Sequence, residues 1–336
     1  MILFPVFIFC PDIPTDIKNL AMDPPPPPPC QFRNWLELPR DVTASILLRL
    51  GAVEILTCAQ KVCLLWRNLC KDLSMWRKID MRNLGDLWDM PYDLETMCRH
   101  AVDRSCGQLV DINVEYFDTD ELLHYIAESS SQVKRLRLVC CYNISVEGLS
   151  EVEVAAKLPL LEDLEISYGP LSKEPLEAVG RCCPLLKSLK FNSQGYRRPR
   201  IECDEEAIAI AENMTELRHL QLFGNKLTND GLKAVLDGCH HLESLDLRQC
   251  FNVTLTGNLG RRCTERIKYL RSPCDSTNDY EFDAELHDTG SFDDDYPSGF
   301  SDIDYFSDDY GHYEFSSDSD DPDYGDFDDY REFYMY

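Results

Sequence analysis

Long apolar runs are missing from this chain, and that excludes the simplest membrane readings. The N-terminal stretch Ile2–Cys10 is nine residues, interrupted by Pro5 and followed by Asp12 and Asp16, too short to span a bilayer. It also lacks the positive n-region and small-residue cleavage site of a secretory signal. Residues 1–33 therefore read as an extension, with Met22 as an alternative start and the six prolines Pro24–Pro29 as an extended spacer. Basic charge is scarce: 33 Lys and Arg stand against 60 Asp and Glu, a net of −27, which repels phosphate backbones and argues against nucleic-acid binding. Paired C-x-x-C or H-x-x-x-H blocks are absent despite 16 cysteines and 7 histidines. Neither a structural zinc site nor any other metal or cofactor is expected, even at Cys239-His240-His241. Glycine-rich phosphate loops and a cysteine paired locally with a base are missing too, so no catalytic residue is assigned.

What is present is unevenly distributed. From Asp275 to Tyr336 the chain carries 22 of its acidic residues, Arg331 as its one base, and 16 aromatics. The preceding body is close to neutral. Such a tail, 275–336, cannot build a core at that charge density and is expected to be disordered. Its aromatics suggest short binding elements or an activation-domain-like segment. Ser291, Ser301 and Ser317 each precede an acid by three residues, which suits acidophilic phosphorylation. Spread over a long chain, the cysteines fit a reduced, intracellular compartment.

The body is organised by a repeat. An anchor is followed by apolar residues at +3, +6 and +8, as in Cys106, Leu109, Ile112, Val114 and in Cys239, Leu242, Leu245, Leu247. Six such units start at Cys106, Ser130, Leu158, Cys183, Met214 and Cys239, a period close to that of leucine-rich repeats. An earlier unit is expected at Leu73, Trp76, Ile79, Met81, and a degenerate last one near Cys263, Ile267, Leu270. In each unit the last two apolar residues alternate with polar ones, the pattern of a short strand with one buried face. Amphipathic stretches such as Leu176–Cys182 and Leu232–Cys239 read as return helices. Cys141 and Cys250, three residues past their strands, suit a small buried ladder site. Gly169, Gln194 and Asn225 replace that second cysteine in other units.

Alternation places Asp111, Asn113, Arg135, Arg137, Asp163, Glu165, Lys190, His219, Gln221, Asp246 and Arg248 on the concave strand face. Of these, Arg135, Arg137, Asp163, Glu165, Lys190, His219, Gln221, Asp246 and Arg248 are the candidate substrate contacts. A combined Arg135, Arg137 and Arg248 to Ser variant is expected to lose substrate and keep its stability. The basic loop Tyr196–Arg200 is either a solvated loop or a docking point for an acidic motif, in a substrate or in the chain's own tail.

Residues 34–80 follow a different pattern. Leu36, Leu38 and Pro39 open a helix bearing Ile46, Leu47 and Leu50, which Gly51 ends; further helices are expected over Val53–Cys63 and Leu65–Cys70. About 40 residues bury too little surface to stand alone. Leu38-Pro39, Ile46-Leu47, Leu56, Val62-Cys63, Trp66-Arg67 and Trp76 resemble an F-box. Together with the repeats and the acidic tail, the chain resembles plant F-box/leucine-rich-repeat proteins of the cysteine-containing type. That resemblance implies an α/β chain: a three-helix F-box (34–80), a short right-handed helix–strand solenoid (81–274) and the tail.

It also implies a non-catalytic substrate receptor of an SCF-type cullin–RING ubiquitin ligase, in the nucleus or cytoplasm. The F-box would bind a Skp-type adaptor, and through it cullin and RING protein, by Leu38, Pro39, Ile46, Leu47, Leu56, Val62 and Trp66. Ile46 and Trp66 serve equally well as filling for the bundle's own centre. The alternative from another class is a ligase-independent scaffold acting in transcription through the tail.

Overall fold

The computed structural model describes residues 38–83, 92–117, 119–144, 152–169, 172–195, 197, 201–282 and 284. The first helix of the described residues is α1 (Arg40–Leu47), whose entry is set by Pro39 at the N-cap; the Pro39 carbonyl accepts from the Thr43 amide at 3.0 Å. Gly51 is the N-cap of the next helix, as well as the end of the first turn region. That second helix starts as α2 (Ala52–Glu54), widens to a π-helical stretch over Ile55–Ala59 and finishes as α3 (Gln60–Val62). Within the widened turn Thr57 Oγ1 donates to the Val53 carbonyl at 2.7 Å, a side-chain back-bond that competes with regular helix geometry. Cys63 is extended (φ −161°, ψ 170°), which breaks the chain into α4 (Leu64–Cys70).

A 3₁₀ turn, Leu73–Trp76, then delivers the first strand. Eight strands follow: β1 (Lys78–Met81), β2 (Asp111–Glu115), β3 (Arg135–Val139), β4 (Asp163–Ser167), β5 (Ser188–Asn192), β6 (His219–Gln221), β7 (Ser244–Asp246) and β8 (Tyr269–Arg271). They form one sheet in sequential order with every pair parallel. Both expected end units are present, as β1 and β8.

The pairing register shows why the repeat reads as it does. Ile79, Ile112, Leu136, Leu164, Leu189, Leu220, Leu245 and Leu270 lie side by side across the sheet. All but Leu270 are buried. The return helices cover this face with their own stripes, such as Leu176 and Val179, or Leu232, Val235 and Leu236. Each fully buried aliphatic contributes roughly 1.5–3 kcal/mol. No single unit encloses its share, so stability comes from stacking.

The cysteines act as small ladder residues. Cys183 Sγ donates to the carbonyls of Ala155 and Leu158 (3.6 Å each), and Cys239 Sγ to Met214 (3.5 Å), each reaching the preceding unit. Cys250 Sγ reaches the Leu222 carbonyl at 2.8 Å. Every described cysteine is a free thiol.

The F-box helices and the solenoid share one core. Ile55, Leu56, Leu69, Trp76 and Ile79 belong to the same buried cluster as Leu136 and Leu245. Trp76 is 1% exposed and donates from Nε1 to the Cys70 carbonyl at 2.8 Å. Arg104, at the end of the first return helix, lies 5.2 Å over the Trp76 ring and donates to Gln60 Oε1 at 3.3 Å. The neighbour that a 40-residue bundle requires is therefore supplied within the chain.

The chain after β8 departs from the sequence expectation. Residues 275–282 and 284, assigned above to a disordered tail, turn back and pack across the strand face. Their aromatic side chains find a complementary surface there, which outweighs the local charge density. The remainder of the tail, with Ser291, Ser301 and Ser317, lies outside the described residues, as do residues 1–37.

Candidate functional site: the F-box face and the strapped concave sheet

Two surfaces carry the candidate residues. On the F-box, Pro39, Val42 and Ile46 recur at helical spacing on one side of α1, while Thr43 and Leu47 face the core. Pro39 is exposed, Leu38 and Ile46 are half-buried, and Trp66 packs partly against the core. Val62 and Leu64, flanking the break at Cys63, are 60% and 74% exposed.

Two of the seven expected docking residues change role: Leu47 and Leu56 are 0% and 5% exposed and fill the core. The sequence resemblance could not separate them from surface positions, because both kinds are aliphatic. Four exposed aliphatics, Val42, Leu48, Leu50 and Leu64, lie outside that expected set. For Val42 the signal was available, since it lies three residues after Pro39 and four before Ile46.

The concave face is a cross-strand charge ladder. One register row is Lys78, Asp111, Arg135, Asp163, Ser188, His219, Ser244, Tyr269, and the next is Asp80, Asn113, Arg137, Glu165, Lys190, Gln221, Asp246, Arg271. Arg135 bridges Asp111 and Asp163 at 3.1 Å each. Arg137 bridges Glu115 at 2.8 Å and Glu165 at 3.1 Å, and Lys190 meets Glu165 at 2.9 Å. Burial opposes the charge of Arg137, but the carboxylates of Glu165, Glu281 and Glu115 outweigh it and hold its pKa above the ordinary value.

Over the C-terminal ends of the strands lies the strap formed by the chain after β8. Asp279 pairs with both Arg248 and Arg271 at 2.7 Å. The Tyr280 ring stacks on Phe223, with centroids 3.7 Å apart and planes 2° from parallel. Its hydroxyl lies 3.2 Å from that of Tyr168, and burial followed by this bond raises its pKa. Glu281 sits 2.9 Å from Arg137 Nη2. Phe282 meets Tyr168 edge-on at 5.6 Å and lies 5.2 Å from the Arg137 guanidinium. Gln249 Nε2 donates to the Ala284 carbonyl at 2.7 Å.

This cover corrects the picture of a uniformly open face. Glu165, Asp246 and Arg248 are 5%, 9% and 5% exposed, because cross-strand pairing and the strap enclose them. Asp163, Lys190 and Gln221 are half-buried, and Arg135 and His219 stay exposed. A groove of about 510 Å³ remains open over the last four strands, lined by Lys190, His219, Gln221, Tyr269 and Arg271 among others.

Just beyond the strands, Tyr116, Cys140, Tyr168, Gly224 and Gln249 all adopt positive φ. For the side-chain-bearing members this is uncommon backbone. At Gly224 the left-handed turn also brings the chain close to its neighbour, and a Cβ there would stand 2.2 Å from the Ser193 carbonyl oxygen.

Of the basic loop, only Arg197 is described; it lies 4.9 Å over the Phe251 ring. The strap's own acids meet Arg137, Arg248 and Arg271 instead. Among the described residues no cluster of three or more potential metal ligands occurs, and no helix is long and apolar enough to cross a membrane.

These features, a three-helix unit fused to a parallel helix–strand solenoid, agree with sequence comparison. The F-box-like family matches residues 35–82 and the Leucine Rich repeat family residues 213–236. F-box protein SKIP19 of Arabidopsis thaliana is 55% identical over 298 residues, covering 88% of this chain and 94% of that protein. The chain belongs to the F-box/leucine-rich-repeat family.

Putative F-box/LRR-repeat protein 23 of the same plant is 57% identical over 251 residues, 73% of this chain and 55% of the relative. Among solved structures, the leucine-rich repeat-containing protein LegL7 from Legionella pneumophila aligns with a TM-score of 0.35 and 18% identity, covering 50% of this chain and 56% of that one. F-box/leucine-rich-repeat membership implies, at the level of the family, a substrate-receptor role in an SCF-type ubiquitin ligase. Family members are typically non-catalytic subunits.

Proposed function

We propose that this chain is the non-catalytic substrate receptor of an SCF-type cullin–RING ligase. Its F-box docks a Skp-type adaptor, and through it cullin and RING protein, while the concave sheet presents a protein substrate. The observation that carries the adaptor half is the aliphatic surface of the F-box. Pro39, Val42, Val62 and Leu64 stay exposed although the bundle's centre is already filled by Leu47, Leu56 and Leu69. Exposed aliphatics at this density mark an interaction surface.

The receptor contributes proximity and orientation, not bond-making. Free thiols throughout the described residues suit a reducing compartment, so we place it in the nucleus or cytoplasm. The acidic balance of the chain, −27 in total, leaves nucleic acid outside its partners. We further propose domain bounds of 34–80 for the F-box, with the solenoid extended past 274 to include the strap.

The test is co-purification of the full chain with a Skp-type adaptor. Val62→Asp with Leu64→Asp is expected to weaken capture by about 2–4 kcal/mol, the range of central interface anchors, or roughly 30- to 1,000-fold. The thermal midpoint should hold, because both side chains are mostly in solvent. Leu38→Ala with Pro39→Ala is expected to weaken capture in the same direction. Undiminished capture by both folded variants would refute the assignment of this face.

A further inference from the structure

We propose that the C-terminal edge of the concave face is a docking site for an acidic peptide with two aromatic side chains two residues apart. Tyr280-Glu281-Phe282 occupies that site in cis until a partner segment of the same chemistry displaces it. This deepens, and rests on, the reading of the concave sheet as the partner-binding surface.

The contacts are read almost wholly by side chains. Asp279 and Glu281 meet Arg248, Arg271 and Arg137. Between those charges Tyr280 lies flat on Phe223, and Phe282 meets Tyr168. The strap is not a ninth strand: the sheet ends at β8. Its backbone accepts instead from side chains, Arg248 to the Ser276 carbonyl at 3.1 Å and Gln249 to Ala284. A surface of this kind selects a sequence, whereas a strand ladder would accept almost any.

The occupant is also held lightly. Asp279 and Glu281 are exposed, and Tyr280 and Phe282 only half-buried. Charge pairs at that exposure are each worth little, while aromatic pairs add about 0.5–1.5 kcal/mol beyond their area. Tyr280 thus has a good seat without a closed one.

The chain carries the same triplet again at Tyr313-Glu314-Phe315, 33 residues on. Solubility requires no such repetition of aromatic spacing. The open groove continues along Lys190 and His219, so a longer partner peptide finds further polar side chains where the strap does not reach.

The experiment uses a fluorescent synthetic peptide with the sequence of residues 277–285, titrated into the full chain by anisotropy. It is repeated on a full-length variant with Tyr280→Ala, Phe282→Ala, Tyr313→Ala and Phe315→Ala, which removes the aromatics of the bound triplet and of its repeat in the sequence. A tethered segment competes at an effective concentration on the order of millimolar. The fourfold variant is therefore expected to bind at least about tenfold tighter than the unaltered chain. A peptide with both aromatics changed to Ala should not bind either. If the fourfold variant fails to fold, Asp279→Asn alone, an exposed position, is expected to raise peptide affinity several-fold.

Absence of peptide binding to the folded fourfold variant would overturn the inference, as would equal binding of the aromatic-free peptide. Either result would leave the strap as a permanent cap. Adaptor co-purification on the same samples separates the two readings. Captured adaptor without peptide binding sinks the docking site alone. Peptide binding by a chain that captures no adaptor sinks the ligase reading and leaves the docking site standing.

Discussion

Arg137→Ser is expected to destabilise the solenoid by about 3–5 kcal/mol, the cost of leaving buried charges without their partner. Arg137 bridges Glu115 on β2 and Glu165 on β4 from its place on β3. The two carboxylate side chains are only 8% and 7% exposed. Without the guanidinium Glu165 would keep Lys190, but Glu115 would be left with the Asn113 amide and no cross-strand cation, in a place with little water to screen it. Glu281 and Phe282 of the strap would lose a partner at the same time. Arg137→Lys is expected to recover only part of the loss, since an ammonium cannot hold two carboxylates as a planar fork does.

Arg135→Ser is the control. Arg135 also bridges two strands, but its side chain is 56% exposed, and its loss should cost less than about 1 kcal/mol. Chemical denaturation of the full chain reads both. Equal midpoints for Arg135→Ser and Arg137→Ser would show the Arg137 pairs to be as dispensable as surface ones. A further consequence is that the combined Arg135, Arg137 and Arg248 to Ser variant is not a clean probe of substrate binding. Alternation alone suggested that it would keep its stability, but two of its three positions hold buried ion pairs.

Trp76→Ala is expected to cost about 3–5 kcal/mol, the range for deleting a large buried aromatic, and to affect both halves of the protein. The indole is 1% exposed, sits between the F-box helices and β1, and ties Cys70 to Arg104 through its donor and its face. Because the core is continuous from Leu47 to Ile267, we expect one cooperative unfolding transition with adaptor capture lost along it. Trp76→Phe keeps most of the volume and loses the Nε1 hydrogen bond, a change of about 1 kcal/mol for the bond itself. Separate melting of the F-box ahead of the solenoid in the Trp76→Ala chain would contradict a shared core.

The sequence by itself determined the solenoid. Its spacing of anchors and alternating strand residues has one physical solution, a stack in which Ile112, Leu136, Leu164 and their equivalents form a single buried row. Even the atypical end units at Ile79 and Leu270 were legible, because their apolar spacing survives the loss of other features. The F-box helices were legible within a few residues for the same reason, with Gly51 and Cys63 as breaks.

Tertiary structure decided which residues of each pattern are available. Leu47 and Leu56 look no different in sequence from Val62, yet burial separates them completely, since that depends on how the helices pack around each position. On the concave face the period of two gives the direction of Glu165, Asp246 and Arg248 but not what lies above them. The cover comes from Asp279–Phe282, whose composition reads as disorder because local charge repulsion is visible in sequence and a distant complementary surface is not. Phe223 and Arg248 lie 57 and 31 residues before Tyr280 and Asp279, and only folding the repeats into a stack brings them together.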